Sequence, residues 1–301
     1  MSRTIGVVGC GRWGANVVRD LLTLGAAVFV ADPDPARREW ARAQRVEGVV
    51  CEIDQLPVCD GYVVVTPASA HRTSCEALLD RGVPVFVEKP PCTSVTDVGA
   101  LASSGDGRLF VMHKWRSHPG VLAMGRLLAE GALGAPVALA TIRTGPELLP
   151  PDVDVAWHLG VHDLAIALEL FGSVPRVRSA EGEFGPAGRL HRVHATLVVE
   201  PGVEHSLVAA AGVPDRVREL RLVGAERTAV LARPDAAVVS VTASDGTREE
   251  VALPQQLPLE RLLAAFLVHC GGGPRPNSSA TEALAICEQL AAIAASARQA
   301  R

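Results

Sequence analysis

The stretch from Thr4 to Gly14, TIGVVGCGRWG, predicts the fold more directly than any other part of the sequence. Its first half is an apolar run with the composition of a buried β-strand, and a helical pattern follows it. Its second half matches G-x-G-x-x-G, which between a strand and a helix indicates a dinucleotide-binding turn. Gly9 allows the tight turn, Gly11 leaves room for a pyrophosphate, and Gly14 lets the helix pack closely on the strand. We predict cofactor contacts from Gly9, Gly11, Arg12, Trp13 and Gly14.

An acidic residue closes the next strand-like run. Asp32 lies 18 residues after Gly14. A carboxylate at this position accepts hydrogen bonds from both hydroxyls of an adenosine ribose and repels a 2′-phosphate. We therefore predict NAD(H) as the preferred cofactor and NADP(H) as the second choice. Arg37 and Arg38 either soften that preference or belong to a solvated helix face.

The first part of the chain alternates short β-rich runs with helical segments. The strand-like runs are Thr4 to Gly9, Ala27 to Asp32, Val49 to Cys51, Tyr62 to Thr66, Val83 to Glu88 and Leu109 to His113. Helical composition lies between most of them, at Gly14 to Leu24, Pro35 to Gln44 and Ala70 to Arg81. Continuous apolar strands separated by helices predict a parallel sheet covered on both faces, the doubly wound α/β arrangement.

The pattern changes after about residue 118, where strands follow one another with few helices between them. The predicted strands are Pro136 to Arg143, Val177 to Ser179, Arg192 to Val199, His205 to Ala211, Arg218 to Val223 and Val238 to Thr242. The predicted helices are 119–130, 157–171, 258–269 and 280–298. We expect a Rossmann domain over residues 1–117. An α+β domain with an open, mainly antiparallel mixed sheet should follow over residues 118–301, its last helix free to pack back on the first domain.

Composition narrows the function classes. The 301 residues are 48% hydrophobic and 21% charged, with a formal net charge of −4, which fits a globular protein without a nucleic-acid partner. No apolar run reaches the length of a transmembrane helix and no secretory signal pattern is present, so we expect no membrane partner. Seven cysteines are scattered without a Cys-x-x-Cys pair. We expect reduced thiols, a cytoplasmic location and no metal site.

Polar residues follow two of the predicted parallel strands, at the carboxyl edge where such sheets bind ligands. Thr66 and Pro67 follow the fourth run, and they form either a cofactor contact or an ordinary strand-to-helix turn. Glu88 and Lys89 follow the fifth run. Lys89 is placed to touch a nicotinamide ribose or a substrate oxygen, with Glu88 as its anchor, although the two residues equally fit a surface salt bridge.

Three more residues are weaker candidates. His71 lies on the helix after Thr66 and is predicted to face the cofactor, unless it is a residue of the helix surface. His113 and Arg116 follow the sixth run and are predicted to meet a hydroxylated or anionic substrate. Structural roles are equally consistent with the positions of both.

Six stretches of the chain resemble the glucose–fructose oxidoreductase/inositol dehydrogenase family (Gfo/Idh/MocA). They are residues 9–14, Thr66-Pro67 with His71, residues 82–90 (GVPVFVEKP), residues 116–119 (RSHP), residues 131–136 (GALGAP) and residues 158–164 (HLGVHDL). The resemblance implies a Rossmann domain that binds a nicotinamide cofactor and a second domain whose open sheet forms a homodimer or homotetramer. It also implies a small-molecule substrate between the two, of the sugar, cyclitol or nucleotide-sugar class.

The resemblance also implies site residues. Lys89 matches the family lysine that contacts substrate and nicotinamide ribose, and His162 matches the histidine of the D-x-x-x-H pattern, which acts as acid or base. His158 occupies the position of the family's Asp, so the chain departs from the pattern there. On a helix His158 and His162 share one face, and imidazoles exchange protons near neutral pH. The two histidines also have the spacing of a pair of metal ligands, an alternative we do not favour, and His158 also fits a purely structural role. Trp157 either lines the substrate pocket or packs against the helix.

The sequence therefore predicts an NAD(H)-dependent oxidoreductase that transfers a hydride between nicotinamide and a carbinol or carbonyl carbon. In this hypothesis His162 exchanges the proton, Lys89 polarises the oxygen, and His158 assists. The alternative within enzymes is an imine or ketone reductase of specialised metabolism. The alternative of another class is a non-catalytic NAD(H)-binding sensor or scaffold, which needs neither Lys89 nor His162.

Overall fold

The computed structural model describes residues 2–105, 107–185, 188–200 and 202–300. The chain divides into two compact units. The first unit comprises Met1–Lys114 and Leu257–Leu284, and the second comprises Trp115–Gln256 and Ala285–Arg301. Where the sequence predicts a boundary at 117/118, the chain passes from the first unit to the second after Lys114, and residues 257–284 group with the first unit.

A six-stranded parallel sheet forms the centre of the first unit. Its strands are β1 (Thr4–Val8), β2 (Ala27–Ala31), β3 (Gly48–Val50), β4 (Gly61–Val64), β5 (Val85–Val87) and β6 (Leu109–Val111). Their spatial order is β3-β2-β1-β4-β5-β6, and each neighbouring pair is parallel. The chain reverses its direction of travel across the sheet between β3 and β4, which puts the carboxyl ends of β1 and β4 side by side.

Helices cover this sheet. They are α1 (Gly14–Thr23), α2 (Pro35–Ala43), α3 (Ala68–Leu79), α4 (Val95–Gly105) and α7 (Pro258–Cys270). Local signals explain where they begin: Asp34 accepts a hydrogen bond from the Ala36 amide at 2.8 Å, and Pro35 occupies the first turn of α2. The last of these helices buries Leu259, Leu262, Leu263 and Phe266 in the same core as β1 and β2.

An eight-stranded mixed sheet forms the second unit. Its strands are β7 (Pro136–Gly145), β8 (Arg176–Phe184), β9 (Leu190–Val199), β10 (Val203–Ala211), β11 (Val217–Gly224), β12 (Arg227–Leu231), β13 (Val238–Ala243) and β14 (Arg248–Ala252). The order is β14-β13-β12-β11-β7-β10-β9-β8, and only the β7–β10 pair is parallel among these described strands. Alternate residues of β7 are buried, as expected for a sheet covered on one face.

Helices α5 (Pro119–Ala129) and α6 (Val161–Phe171) belong to the second unit and pack against each other. Gly172 ends α6 in the left-handed conformation, with φ +72°, and its amide bonds to the Leu168 carbonyl. The last helix, α8 (Ala280–Gln299), is divided between the units after Leu284. The predicted fold class, a doubly wound parallel sheet followed by a mainly antiparallel mixed sheet, is confirmed.

Candidate functional site

The glycine-rich turn after β1 has a distinct physical requirement at each glycine. Gly9 has φ +92°, and a side chain there would meet the Thr66 amide 2.9 Å away. A Cβ on Gly14 would meet the Gly9 carbonyl oxygen, because the start of α1 packs directly on the turn. A Cβ on Gly11 would meet no atom within 4 Å. The turn is therefore closed at Gly9 and Gly14 and has open space at Gly11, where the sequence predicts a pyrophosphate.

Asp32 ties this turn to the end of β2. The residue is buried, with only 7% of its surface exposed. Its Oδ2 accepts a hydrogen bond from the Cys10 amide at 2.6 Å, and its Oδ1 accepts one from the Asp34 amide at 2.9 Å. An ionised carboxylate offers about four acceptor positions. Asp32 therefore keeps capacity for hydroxyl donors after organising the turn.

Two of the three arginines of α2, Arg37 and Arg38, have partners in the neighbouring loop. Arg38 Nη1 donates to the Asp32 carbonyl at 2.8 Å and to the Pro33 carbonyl at 2.6 Å. Arg37 Nε lies 4.0 Å from Asp34 Oδ2, and both side chains are about half exposed. Arg38 thus braces the β2–α2 loop, whereas Arg37 is the arginine more easily drawn to a new anion.

His71 joins two loops at the carboxyl edge of the sheet. The residue is buried on α3, with Nε2 2.8 Å from the Thr66 carbonyl oxygen and Nδ1 2.9 Å from the Pro90 carbonyl oxygen. It lies between the Thr66-Pro67 turn and the segment that carries Lys89. The structure therefore gives His71 two backbone contacts in the first unit, which hold together the loops after β4 and β5.

Glu88 and Lys89 follow β5 directly. The Glu88 amide donates to the Val64 carbonyl at 2.8 Å, which extends the strand pairing by one residue. Burial raises the pKa of Glu88, and the positive charges of Lys89 and Lys114 oppose that shift. Lys89 itself is partly exposed. The carboxyl group is therefore placed among cations rather than in a solvated surface pair.

The end of β6 contributes a cation to the same edge. Lys114 Nζ lies 4.3 Å from the centre of the Trp13 ring, within cation–π range. His113, the residue before it, is fully buried. Trp13 of the glycine-rich turn and Lys114 after β6 are thereby brought together, a contact that the sequence analysis does not predict.

Trp157, His158 and His162 lie in the second unit, and their local geometry differs from the prediction. The sequence predicts one helix over 157–171, but Ala156–Gly160 forms a π-helical turn and the α-helix begins at Val161. A π turn bonds residues five apart, so the α-helical i, i+4 argument for His158 and His162 does not apply as stated. His162 and Trp157 are buried and His158 is half-buried.

Asp154 holds the start of this π turn. Its Oδ1 accepts a hydrogen bond from the Trp157 amide at 3.1 Å, and its carbonyl accepts one from the His158 amide at 2.9 Å. Burial raises the pKa of Asp154, and the two amide hydrogen bonds that its side chain accepts from residues 156 and 157 oppose that rise. Asp154 is thus a helix-capping residue of the segment that carries both histidines.

Two ion pairs hold α6, of which one is partly buried and the other is buried on both sides. Arg116 Nε bonds to Glu169 Oε2 at 2.9 Å, so this predicted substrate contact has a carboxylate partner inside the second unit. Arg143 of β7 bonds to Asp163, the residue after His162, through both Nε and Nη2. Arg143 is not among the site residues predicted from the sequence. Its signal is a charged residue on the buried face of β7, in line with Leu139 and Thr141.

Other features of the described residues bear on function. No group of three or more His, Cys, Asp or Glu side chains in the described ranges is arranged to hold a metal ion. All seven cysteines are free thiols. Within the part of the chain that the structure describes, no helix combines the length and apolar character needed to cross a membrane.

Comparison with known proteins starts with the family scan. Residues 3–107 match the model of an oxidoreductase family with an NAD-binding Rossmann fold. D-apiose dehydrogenase of Paraburkholderia graminis is 26% identical, with 98% of this chain and 88% of that protein aligned. UDP-N-acetylglucosamine 3-dehydrogenase of Acidithiobacillus ferrooxidans is 26% identical over 74% of this chain and 72% of its own. Inositol 2-dehydrogenase 2 of Saccharopolyspora erythraea is 31% identical over 57% and 55%.

Solved structures show the same fold over nearly the whole chain. An oxidoreductase from Agrobacterium radiobacter, in complex with NAD+, L-tartaric acid and magnesium, has a TM-score of 0.87 and 18% identity, covering 100% of this chain and 98% of that one. A 3-ketoreductase from Actinomadura kijaniata, in complex with TDP-benzene and NADP, has a TM-score of 0.86 and 19% identity, covering 98% of both chains. At these identities the likeness establishes the fold, and the two structures contain different nicotinamide cofactors.

Proposed function

We propose that the chain is an NAD(H)-dependent dehydrogenase or reductase of the Gfo/Idh/MocA family of oxidoreductases, which the family match over residues 3–107 and the dehydrogenases among its relatives support. The reaction is hydride transfer between nicotinamide and a carbinol or carbonyl carbon of a sugar, cyclitol or nucleotide-sugar-like substrate. The names of the relatives, which act on apiose, a UDP-sugar and inositol, support that substrate class. The observation that carries the proposal is the glycine-rich turn, which is open at Gly11 and bonded to the Asp32 carboxylate.

The residues present fit a dinucleotide. The open space at Gly11 allows a pyrophosphate to approach the backbone, and the first turn of α1 offers amide groups to it. The Asp32 carboxylate accepts ribose hydroxyl donors while it keeps its two amide hydrogen bonds. Arg12 and Trp13 of the turn, and Thr66, Pro67 and Glu88 at the ends of β4 and β5, complete the proposed cofactor contacts. His71, buried on α3, supports them by holding the two loops through its backbone contacts.

We infer a preference for NAD(H) over NADP(H) from the charges around Asp32. A 2′-phosphate would place a second anion beside a buried carboxylate. Arg38 is engaged with two backbone carbonyls, so it would have to leave them to compensate for that charge. Arg37 is paired only weakly with Asp34, which leaves NADP(H) as a weaker second cofactor.

The chemistry is assigned to three side chains. The nicotinamide, when bound, supplies or accepts the hydride. Lys89 holds and polarises the substrate oxygen with its ammonium group. His162 accepts the hydroxyl proton during oxidation and returns it during reduction, because a neutral imidazole is an effective general base near pH 7. His158, on the preceding π turn, assists that proton transfer.

His113, Arg116 and Trp157 are the proposed substrate contacts besides these residues. The Arg116 side chain is paired with the Glu169 carboxylate, so it contacts an anionic or hydroxylated substrate while it stays bonded to Glu169.

We further propose that the second sheet joins chains into a homodimer or homotetramer. The seven free thiols support a reducing, cytoplasmic location.

Titration with NADH and NADPH, read by nicotinamide fluorescence, tests the cofactor assignment. NADH should bind more tightly than NADPH, and Asp32→Ala should weaken NADH binding more than NADPH binding, since only the NADH ribose uses the carboxylate. Arg38→Ala should weaken both, because the loop brace is lost. Equal weakening of both cofactors by Asp32→Ala would contradict the ribose assignment, and a selective loss of NADPH binding in Arg38→Ala would make Arg38 a phosphate ligand instead.

A further inference from the structure

A buried ion pair joins β7 to the first turn of α6. Arg143 Nε lies 3.1 Å from Asp163 Oδ1, and Arg143 Nη2 lies 2.9 Å from the same oxygen. The side chains are 5% and 1% exposed. A two-nitrogen contact between a planar guanidinium and a carboxylate fixes direction as well as distance.

Aromatic rings hold the guanidinium from its other side. The Arg143 Cζ atom lies 4.3 Å from the centre of the Trp115 ring, and that ring stacks on His118 at 4.7 Å with an angle of 12° between the planes. His118 is fixed in turn: its Nδ1 accepts from the Gly120 amide at 3.0 Å, and its Nε2 lies 2.8 Å from the Pro234 carbonyl oxygen. The orientation of Arg143 is therefore set by a stack of three side chains.

The strand behind Arg143 is also rigid, because β7 pairs with β10 on one side and β11 on the other. The helix it contacts is less regular, since α6 begins directly after the π turn Ala156–Gly160. Asp163 is the third residue of α6 and follows His162 directly. A bond to Asp163 thus fixes the rotation of the turn from which His162 projects.

We propose that the Arg143–Asp163 pair positions His162 for proton transfer, an inference that rests on the proposed function. In the proposed mechanism neither residue contacts the reacting atoms, so both are positioning residues. Arg143 on β7 and Arg218 on β11 are the charged groups that face Asp163, and Glu147 balances Arg218 from a distance of 4.0 Å. Removing the Asp163 charge leaves the His162 side chain chemically intact and releases the bond between strand and helix, but it also leaves Arg143 as a buried cation without its counter-ion.

NMR of the histidine rings in the full chain tests the proposal without any substrate. The chain has nine histidines, and His162→Gln identifies the His162 ring signal in protein labelled with 15N histidine. In the wild type we expect one sharp set of His162 ring signals. In Asp163→Asn the set should broaden or split, because the turn is no longer held in one rotation.

Glu169→Gln is the matched control, since it breaks the other ion pair of the same helix, which is partly buried, and should leave the His162 signals unchanged. Arg143→Met combined with Asp163→Leu removes both charges, which avoids an unpaired buried ion, and should disturb His162 in the same way as Asp163→Asn. A folded double variant with unchanged His162 signals would overturn the proposal.

Kinetics give the second readout. In Asp163→Asn kcat should fall about tenfold to a hundredfold through misplacement of the proton-transfer group, while KM and NADH affinity change less than about twofold. The solvent deuterium isotope effect on kcat should rise, because proton transfer becomes slower relative to hydride transfer. A rise in KM as large as the fall in kcat, with no change in the isotope effect, would show that the pair has a purely structural role. A wild-type protein without turnover would contradict the proposed function, and the NMR result would still decide the positioning of the His162 ring.

Discussion

At the scale of single residues, His205 shows how burial fixes a protonation state. It lies on the helix-covered face of β10, fully buried, with Nε2 3.0 Å from Thr141 Oγ1. Its Nδ1 has no hydrogen-bond partner among the described residues. Burial lowers the pKa of His205 to about 3. The imidazole is therefore neutral in the folded protein at every pH in ordinary use.

This shift predicts a loss of stability in mild acid. Above pH 6.5 His205 is neutral in both the folded and the unfolded chain. As the pH falls from 6.5 towards 3, only the unfolded chain takes up the proton, so the free energy of unfolding decreases by about 1.4 kcal/mol per pH unit. Between pH 6.5 and pH 5 the wild type should lose about 2 kcal/mol more than His205→Gln. Urea denaturation of both proteins at the two pH values measures this, and an identical pH dependence would show that His205 is protonated in the folded state.

At the scale of elements, the glycines of the turn after β1 have different roles: Gly14 is needed for packing, and Gly11 is needed for the proposed cofactor binding. A methyl group at Gly11 meets no atom within 4 Å, so Gly11→Ala should change the free energy of unfolding by less than about 1 kcal/mol. It should still weaken NADH binding more than tenfold, because the methyl group occupies the space proposed for the pyrophosphate. Fluorescence titration beside thermal denaturation measures both effects. Unchanged NADH affinity would place the pyrophosphate elsewhere.

Gly14→Ala tests the packing role of the turn, as Gly11→Ala tests its binding role. Its methyl group would meet the Gly9 carbonyl oxygen, which must move to accommodate it. This substitution should lower the thermal midpoint as well as NADH affinity, because α1 can no longer pack on the turn. A Gly14→Ala protein as stable as the wild type would show that the turn is looser than its contacts indicate.

The elements that the sequence reveals are those with a strong hydrophobic pattern. All six strands of the parallel sheet are predicted within a few residues, because each is an apolar run bounded by polar or glycine residues. By contrast, β14 (Arg248–Ala252) is missed since it is an edge strand with four of its five residues exposed. Helix α4 (Val95–Gly105) is missed because it begins with β-branched residues and contains an internal glycine.

Site residues could be predicted from the sequence only where a residue of suitable chemistry lies at a recognisable position of a motif. Asp32 is identifiable because it closes a strand after a glycine motif. Arg143 and Asp163 are 20 residues apart, and no local sequence motif around either residue indicates that they pair. The π turn before α6 is equally hidden, since a π and an α pattern differ little over five residues. Contacts made by tertiary packing therefore escape an analysis of spacing alone.

At the scale of the whole molecule, the first unit is assembled from two distant parts of the chain. Phe266 of α7 is fully buried, and its ring lies 4.9 Å from that of Phe86 on β5. Phe266→Ala should therefore lower the free energy of unfolding by about 3–5 kcal/mol through the cavity it leaves. Val268→Ala on the same helix is the control, because Val268 is 56% exposed and should cost less than about 1 kcal/mol. Urea denaturation compares the two, and equal costs would show that α7 does not complete this core.

Lys89 and His162 take part in the chemical step of the proposed nicotinamide-dependent hydride transfer. The most direct test follows nicotinamide absorbance with a panel of sugars, cyclitols, nucleotide sugars, ketones and imines, for the wild type, Lys89→Ala and His162→Ala. We predict turnover of a polyhydroxylated substrate by the wild type, a loss of at least about a hundredfold in either variant, and NADH affinity within about threefold of the wild type in both. Turnover that survives both substitutions would contradict the site assignment. NADH binding without turnover of any substrate would indicate a sensor rather than an enzyme.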